Sequence, residues 1–424
     1  MPDLDNTFLL LLEGYGWLPA RRRRTPKEVV RTRVMGQRAV ALCGPDAARF
    51  FYDEDHVERS TALPGPVKST LFGDGAVHTL DGTAHRVRKA MFTSLMTDAG
   101  IAALVDATAA AWDKAAASWS GGHRVVLFDE TARILTRAVC PWAGIPLDED
   151  DVPDLAADLV AMVDGFATLG PRHWRARRAR ARREAWLGRL VEDVREGTVA
   201  APPGSPLRVA ARHRDADGEL LDPRVAAVEL LNVIRPTVAV TWFVTFAAHA
   251  LHRWPRHRAT LRDGDTAFAE AFTHEVRRFY PFAPFVGGRA VRDLSWRGEP
   301  IPAGALVLLD VYGQNHDPGL WENPYTFDPE RFVGRDIGVF DLIPQGGGDP
   351  GTGHRCPGEA ITVSLLRTLI PKLAGLDYDV PEQDLSISLR RVPARPASGF
   401  VLSAARPATT GRPAARLEPG AARS

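Results

Sequence analysis

Apolar residues recur at the spacing of one helix face along most of this chain. The longest such stretch, 222–252, starts with Asp222 as a cap and Pro223 at the first helical position. The same periodicity predicts helices over 84–97, 98–119, 150–196, 266–280 and 360–370. A shorter helix opens at Gly44-Pro45-Asp46 and ends in Phe50-Phe51-Tyr52. Two-residue alternation is confined to short segments. Residues 31–42, broken by Gly36, read as a hairpin, 124–128 as a strand, and 284–312 and the stretch up to 404 as short strands and turns. The pattern predicts a mainly α protein with small β-sheets. No repeat or linker interrupts 1–405, which read as one domain. Residues 406–424, rich in Pro, Ala, Gly and Arg, read as a disordered tail.

Composition narrows the class. The 424 residues are 45% hydrophobic and 25% charged, ordinary for a globular protein, and the formal net charge of +1 gives no bias toward nucleic acid. The basic run 172–183 is interspersed with alanine and reads as a solvated helix face, as do Arg21–Arg24 as a solvated turn. Three widely spaced cysteines, Cys43, Cys140 and Cys356, argue against a disulfide framework and for a reducing, cytoplasmic setting. The apolar run 8–12 is too short for a signal peptide, and no run reads as long enough to span a bilayer, so no stable membrane insertion is expected.

Candidate chemistry concentrates in 345–359, where glycines precede Cys356 and a helix follows. Glycine lets backbone pass close to a bulky group, and a helix N-terminus favours a thiolate. No second cysteine or histidine has finger-like spacing, which disfavours zinc. A single thiolate suits haem iron. A glycine-rich turn around an inert cysteine fits this stretch equally well.

The long helix carries Arg235-Pro236-Thr237 amid Leu231, Val233, Ile234, Val238 and Val240. An unpaired buried guanidinium is costly and needs an anion. Pro236 cannot donate to the carbonyl of Asn232, so it opens room there. An arginine beside such a kink can grip a carboxylate through two hydrogen bonds. The competing reading pairs Arg235 with an internal acid such as Glu229.

Glu275 and Arg278, at i and i+3, are followed by Asn315-His316-Asp317-Pro318, by Phe327-Asp328-Pro329-Glu330-Arg331-Phe332 and then by the cysteine loop. This order resembles the cytochrome P-450 superfamily, whose fold the chain is then expected to share. The resemblance departs in three ways: the loop is longer, lacks its usual leading aromatic residue, and puts Arg355 directly before the cysteine. In Arg235-Pro236 the chain is similar to the bacterial fatty-acid peroxygenases of that superfamily. The likeness continues through Glu13-Gly14-Tyr15, Asp81-Gly82 with His85, Arg88 and Lys89, Trp142 to Pro146, Gly170 to Trp174 and Tyr378 to Gln383, and covers essentially 4–405.

The resemblance implies a haem-thiolate catalytic domain holding haem b, with Cys356 as axial ligand of the iron. Glu275, Arg278 and Arg331 become a buried charge network behind it. His85, Arg88 and Lys89 are expected to meet the haem propionates, and Gln345 belongs to the same cofactor-binding set. Arg235 would hold a fatty-acid carboxylate that serves as general acid–base, replacing the acid that usually precedes the alcohol on this helix, with Pro236 shaping the space. Phe72, Phe282, Phe285 and Val286 would line the acyl channel. The oxidant would be hydrogen peroxide with no reductase, and the products α- or β-hydroxy acids and, by decarboxylation, terminal alkenes. His78 stands where typical hydroxylases of the branch carry glutamine and an alkene-forming relative carries histidine. Two alternatives differ in kind: a reductase-dependent fatty-acid monooxygenase, and a non-catalytic haem-thiolate sensor or fatty-acid binder.

Overall fold

The computed structural model describes residues 5–407 except 26–28, 63, 120–122 and 167. The tail expected at 406–424 lies, from 408 onward, outside the described residues. Helices dominate, and three small sheets flank them. The largest sheet orders its strands β1-β2-β8-β5-β3, where β1 is Val30–Val34, β2 Gln37–Leu42, β3 Val57–Glu58, β5 Val286–Ala290 and β8 Leu306–Leu309. β1 and β2 form the expected hairpin, turning at Met35 and Gly36, both at positive φ. β2 pairs in parallel with β8, Ala39 opposite Leu306. A second sheet runs β4-β10-β9 (Val125–Val126, Val401–Pro407, Leu376–Asp379), and β6 (Leu294–Trp296) pairs with β7 (Glu299–Ile301).

Helix caps follow the sequence. Asp222 accepts from Arg224 N at 2.8 Å and starts Pro223–Val238; Asp265 accepts from Phe268 N and starts Thr266–Phe279. The long helix predicted over 222–252 is interrupted at Ala239 and resumes as Val240–Arg253. Pro236 supplies no N–H to the carbonyl of Asn232, and the break follows within one turn. Together Pro223–Arg253 are long and apolar enough to cross a membrane, contrary to expectation, but their apolar 18-residue stretch is 94% buried inside the protein, as in a core helix. Three other boundaries moved. The helix over 84–97 is Gly82–Thr93, and 150–196 divides into Val152–Asp164 and Pro171–Glu196. The strand at 124–128 shrinks to Val125–Val126, because Leu127 and Phe128, almost wholly buried, turn into the helix Leu127–Trp142.

The helix after the cysteine loop, Glu359–Ala374, packs against Val240–Arg253 and Thr266–Phe279. Leu365, Leu366, Leu369, Ile370 and Leu373 are fully buried on it. Each such burial is worth roughly 1.5–3 kcal/mol, so the cysteine loop rests on an anchored platform.

Candidate active site

The loop reaches Cys356 through a dense set of bonds. Cys356 N donates to Gln345 O at 3.0 Å. The Gln345 side chain accepts from Arg277 Nε and Nη2 at 3.2 and 2.9 Å and donates to Thr362 Oγ1 at 3.0 Å. Arg277 also bonds Glu359, which accepts from Arg355 Nε at 2.6 Å. The arginine that departs from the superfamily pattern is therefore a brace for the loop. Beside it, Arg278 donates from Nε and Nη2 to the two Glu275 oxygens, both at 2.7 Å. Arg331 Nε lies 3.3 Å from Glu275 Oε2, and Asp328 N donates to Glu275 Oε1 at 2.8 Å. Glu275 and Arg278 have no exposed surface, so the three-way network sits buried where its spacing placed it.

Cys356 is surrounded by protein yet keeps some accessible surface, so it borders open space, a void within the fold. Burial pushes its thiol up, while the Gly358 N–H, Lys89 and Arg277 pull the other way. The helix terminus alone does not hold a thiolate here, and a metal charge would complete the balance.

Near Cys356, buried cationic and imidazole groups are only partly matched by acids. Arg59 Nε and Nη2, His85 Nδ1 and His354 Nε2 are buried without hydrogen-bond partners. The His85 and His354 rings stack at 3.9 Å. Burial holds both imidazoles neutral, His85 down to about 3. Glu54 approaches both rings at 3.8–3.9 Å, too far to satisfy them, and Asp81 Oδ1 comes to 3.5 Å from His354 Nε2 in poor hydrogen-bond geometry. Burial draws Lys89 down to about 8 against the pull of Cys356, and its Nζ donates to Arg355 O at 2.6 Å. A haem fits these residues: a thiol facing a void, glycines at 346–348, 353 and 358, and a donor-rich rim wanting carboxylates. Arg88 requires a correction. Its Nη1 is committed to Glu229 Oε1 at 2.8 Å and Gly75 O at 3.2 Å, so it braces the opposite wall instead of sharing the rim with His85 and Lys89.

On the other side of the void, Arg235 is 5% exposed. Its Nη2 donates to Asn232 Oδ1 at 2.9 Å, and its Nε is buried with no partner. Burial and the neighbouring Arg180 pull its pKa down to about 9, and the Cys356 sulfur opposes them across the void. Glu229 does not pair with Arg235. It accepts from Arg88, from Val77 N at 2.8 Å and from Asn232 Nδ2 at 3.1 Å. A neutral amide therefore separates the acid from the guanidinium, and Arg235 keeps its charge for something else. Asn232 Nδ2 also donates to Phe72 O at 3.0 Å, tying this helix to the loop of Phe72 and His78.

The Phe72 ring lies 4.2 Å from the His78 ring and 6.0 Å from Arg235 Cζ. His78 Nδ1 is buried without a partner, and burial, Arg235 and Lys89 keep the ring neutral. Phe282 packs against Phe243 at 5.1 Å and Trp242 at 6.0 Å. Phe285 and Val286 lie farther along the chain toward β5, Phe285 against Trp17 at 6.4 Å and Val286 against the sheet cluster of Phe51 and Val307. The structure thus joins Phe72, His78 and Arg235 directly, and sets Phe285 and Val286 against other clusters.

Sequence reasoning missed Arg59, Arg180, Glu229, Asn232, Arg277 and His354 as working parts. Arg180 is the clearest case. Within the run expected to be solvated it is buried, donating to Leu71 O and Phe72 O at 2.8 and 2.9 Å and to Glu184 at 2.6 Å. Its neighbours Arg175, Arg177 and Arg178 are exposed, as expected. His354 stands two residues before Cys356 and could have been flagged by that proximity. The others are set by contacts between distant segments.

The fold and the single cysteine over a helix platform define a haem-thiolate protein. The family profile described as Cytochrome P450 matches residues 265–371. Cytochrome P450SP alpha (CYP152B1) in complex with (R)-ibuprophen superposes with a TM-score of 0.92 at 43% identity, covering 95% of this chain and 99% of that one. Cytochrome P450EX alpha (CYP152N1) with myristic acid gives 0.92 at 38%, covering 96% and 98%, and ligand-free cytochrome P450 OleT gives 0.93 at 38%, with the same coverage. Likeness to carnosic acid synthase of Rosmarinus officinalis, 36% identical, spans only 119 residues, 27% of this chain and 23% of that enzyme. The chain belongs to the cytochrome P450 superfamily, within its CYP152 branch of fatty-acid peroxygenases.

Proposed function

We propose that this chain is a fatty-acid peroxygenase that uses hydrogen peroxide without a reductase, with 5–405 as one catalytic unit. The observation that carries the reading is Arg235: a buried guanidinium whose hydrogen-bond partner is a neutral amide, within electrostatic reach of the Cys356 sulfur. Myristic acid in cytochrome P450EX alpha supports an acyl substrate. Cys356 would hold the haem iron, and Arg59, His85, Lys89 and His354 its carboxylates. When bound, the haem would activate hydrogen peroxide, the oxidant, for O–O cleavage, which thiolate donation from Cys356 would favour.

Arg235 has donors free for two bonds to a fatty-acid carboxylate, which desolvation strengthens. Asn232 fixes the guanidinium without neutralising it, and Glu229 is kept away by Arg88. The pinned carboxylate would take a proton from one peroxide oxygen and return it to the other, which leaves as water. Anchoring at one end limits which carbons can react, favouring the α and β positions. Fatty acid and hydrogen peroxide give hydroxy acid and water; in the decarboxylating outcome they give a terminal alkene, carbon dioxide and two waters. His78, beside Phe72, would bias this choice. The free state of all three cysteines suits the reducing cytoplasm, where we place the enzyme.

The test is purified holoprotein with a long-chain fatty acid and hydrogen peroxide alone, followed by product analysis. Hydroxy acids or alkenes are expected. Turnover with NAD(P)H and redox partners but none with peroxide would sink the reading in favour of a monooxygenase, and tight fatty-acid binding with no product would favour a binder.

A further inference from the structure

Tyr280 follows the helix Thr266–Phe279, two residues before Phe282 and three after Arg277, which braces the cysteine loop. Its hydroxyl lies 2.8 Å from His249 Nδ1. Tyr280 is 3% exposed, and burial holds its phenol well above the ordinary range. Burial, with His252 and Arg253 nearby, draws His249 down to about 4. At neutral pH the phenol therefore keeps its proton and donates it, and Nδ1 accepts. Tyr15 and Tyr378 differ. Tyr15 donates to the Phe282 carbonyl, and Tyr378 Oη has no hydrogen-bond partner.

A buried phenol cannot lose an electron cheaply while it keeps its proton, because a cation would be left in apolar surroundings. A neutral base at hydrogen-bond distance removes that obstacle: the proton moves as the electron leaves. His249 can carry the charge so made. It is half-buried, whereas the phenol is 3% exposed, so it takes that charge at a lower desolvation cost even though His252 and Arg253 oppose it. Tyr280 also has a path outward through rings. It stacks on Phe246 at 4.7 Å and 9° and lies 6.1 Å from Phe327, which stacks on the half-buried Trp254 at 4.7 Å and 13°.

We propose that Tyr280 and His249 form a radical sink: when peroxide oxidises the prosthetic group and no acyl carbon is in reach, Tyr280 gives it one electron and passes the phenolic proton to His249 Nδ1. Tyr280 becomes a neutral tyrosyl radical, His249 an imidazolium, and the prosthetic group is reduced by one electron. The pair thereby diverts oxidising equivalents from the haem and the pocket wall. This role rests on the peroxide-driven reading above.

The experiment mixes holoprotein with hydrogen peroxide and acetate, which supplies a carboxylate for Arg235 and, beyond one methyl group with strong C–H bonds, no chain to oxidise. Samples frozen at short times are examined by electron paramagnetic resonance, and haem absorbance is followed in parallel. A tyrosyl signal is expected in the native enzyme. It should be lost in Tyr280→Phe, which should bleach several-fold faster per peroxide consumed while keeping the native initial rate on fatty acid. His249→Gln should lower the radical yield with Tyr280 intact, and Tyr325→Phe, at an exposed tyrosine, should change nothing. An enzyme that oxidises fatty acids with peroxide yet shows no tyrosyl radical, or shows it equally in Tyr280→Phe, overturns the sink alone. A haem that does not respond to peroxide overturns the parent reading and the sink with it.

Discussion

The two walls of the void use charge in opposite ways. Behind Cys356 each major charge is met: Glu275 by Arg278 and Arg331, and Glu359 by Arg277 and Arg355. On the facing side Arg88 meets Glu229, but Arg235 Nε and His78 Nδ1 are buried without hydrogen-bond partners, as are Arg59 Nε and Nη2, His85 Nδ1 and His354 Nε2 around the rim. A closed buried network is a device of fold specification, because removing one partner strands the others. An open one holds its groups in readiness for something the chain does not provide. The same kinds of side chain therefore serve architecture on one wall and ligand capture on the other.

The contrast breaks hardest at Glu275. Glu275→Ala leaves two buried arginines facing no anion, a loss of about 3–5 kcal/mol. We expect failure to accumulate folded, haem-loaded protein, measured by expression yield and by the carbon monoxide difference spectrum. A well-folded, haem-loaded variant would mean the rear network is dispensable and the contrast wrong. Arg235→Ala should do the reverse: normal haem content and thermal stability, with peroxide-driven turnover of fatty acids lower by about 10²–10⁴. Retained turnover would remove Arg235 from the proton path.

How far these walls could be read from sequence differs in the same way. The rear network was legible because Glu275 and Arg278 share a helix face one turn apart, and Arg331 sits in a short motif. Arg235 was legible because a cation inside an apolar helix asks for a partner. Its actual partner was not: Asn232, one turn earlier, was passed over for Glu229, whose charge is spent on Arg88, 141 positions away. Arg180 was lost in a basic run because nothing local marks the one arginine that faces inward toward Leu71 and Phe72. The helix break at Ala239 and the shortened strand at 125–126 show local pattern giving way to proline geometry and to core burial.

The amide between the acid and the guanidinium offers a finer test. Asn232→Ala removes the bond to Arg235 and the tie to Phe72 O together, each worth about 1–1.5 kcal/mol. We expect the fatty-acid KM to rise about tenfold, with haem content unchanged. An unchanged KM would show that the guanidinium is held by packing alone.

The smallest expected effect falls on His78, and it asks whether the open wall merely captures or also directs. The ring is neutral, so it is not a standing cation competing with Arg235 for the carboxylate. It is fixed from two sides, by the Phe72 ring at 4.2 Å and by Glu229 holding Val77 N at 2.8 Å. Its Nδ1 is buried without a partner, and a ring so held could accept a hydrogen bond from one direction only. Glutamine offers a similar reach but rotates more freely and presents both donor and acceptor. His78→Gln should therefore leave affinity nearly unchanged and move products from alkene toward hydroxy acid by about fivefold, roughly 1 kcal/mol between competing barriers. The measurement is the alkene to hydroxy-acid ratio at equal conversion, which cancels differences in haem loading. A constant ratio would make His78 a wall residue and leave the choice of outcome to the carboxylate's position on Arg235.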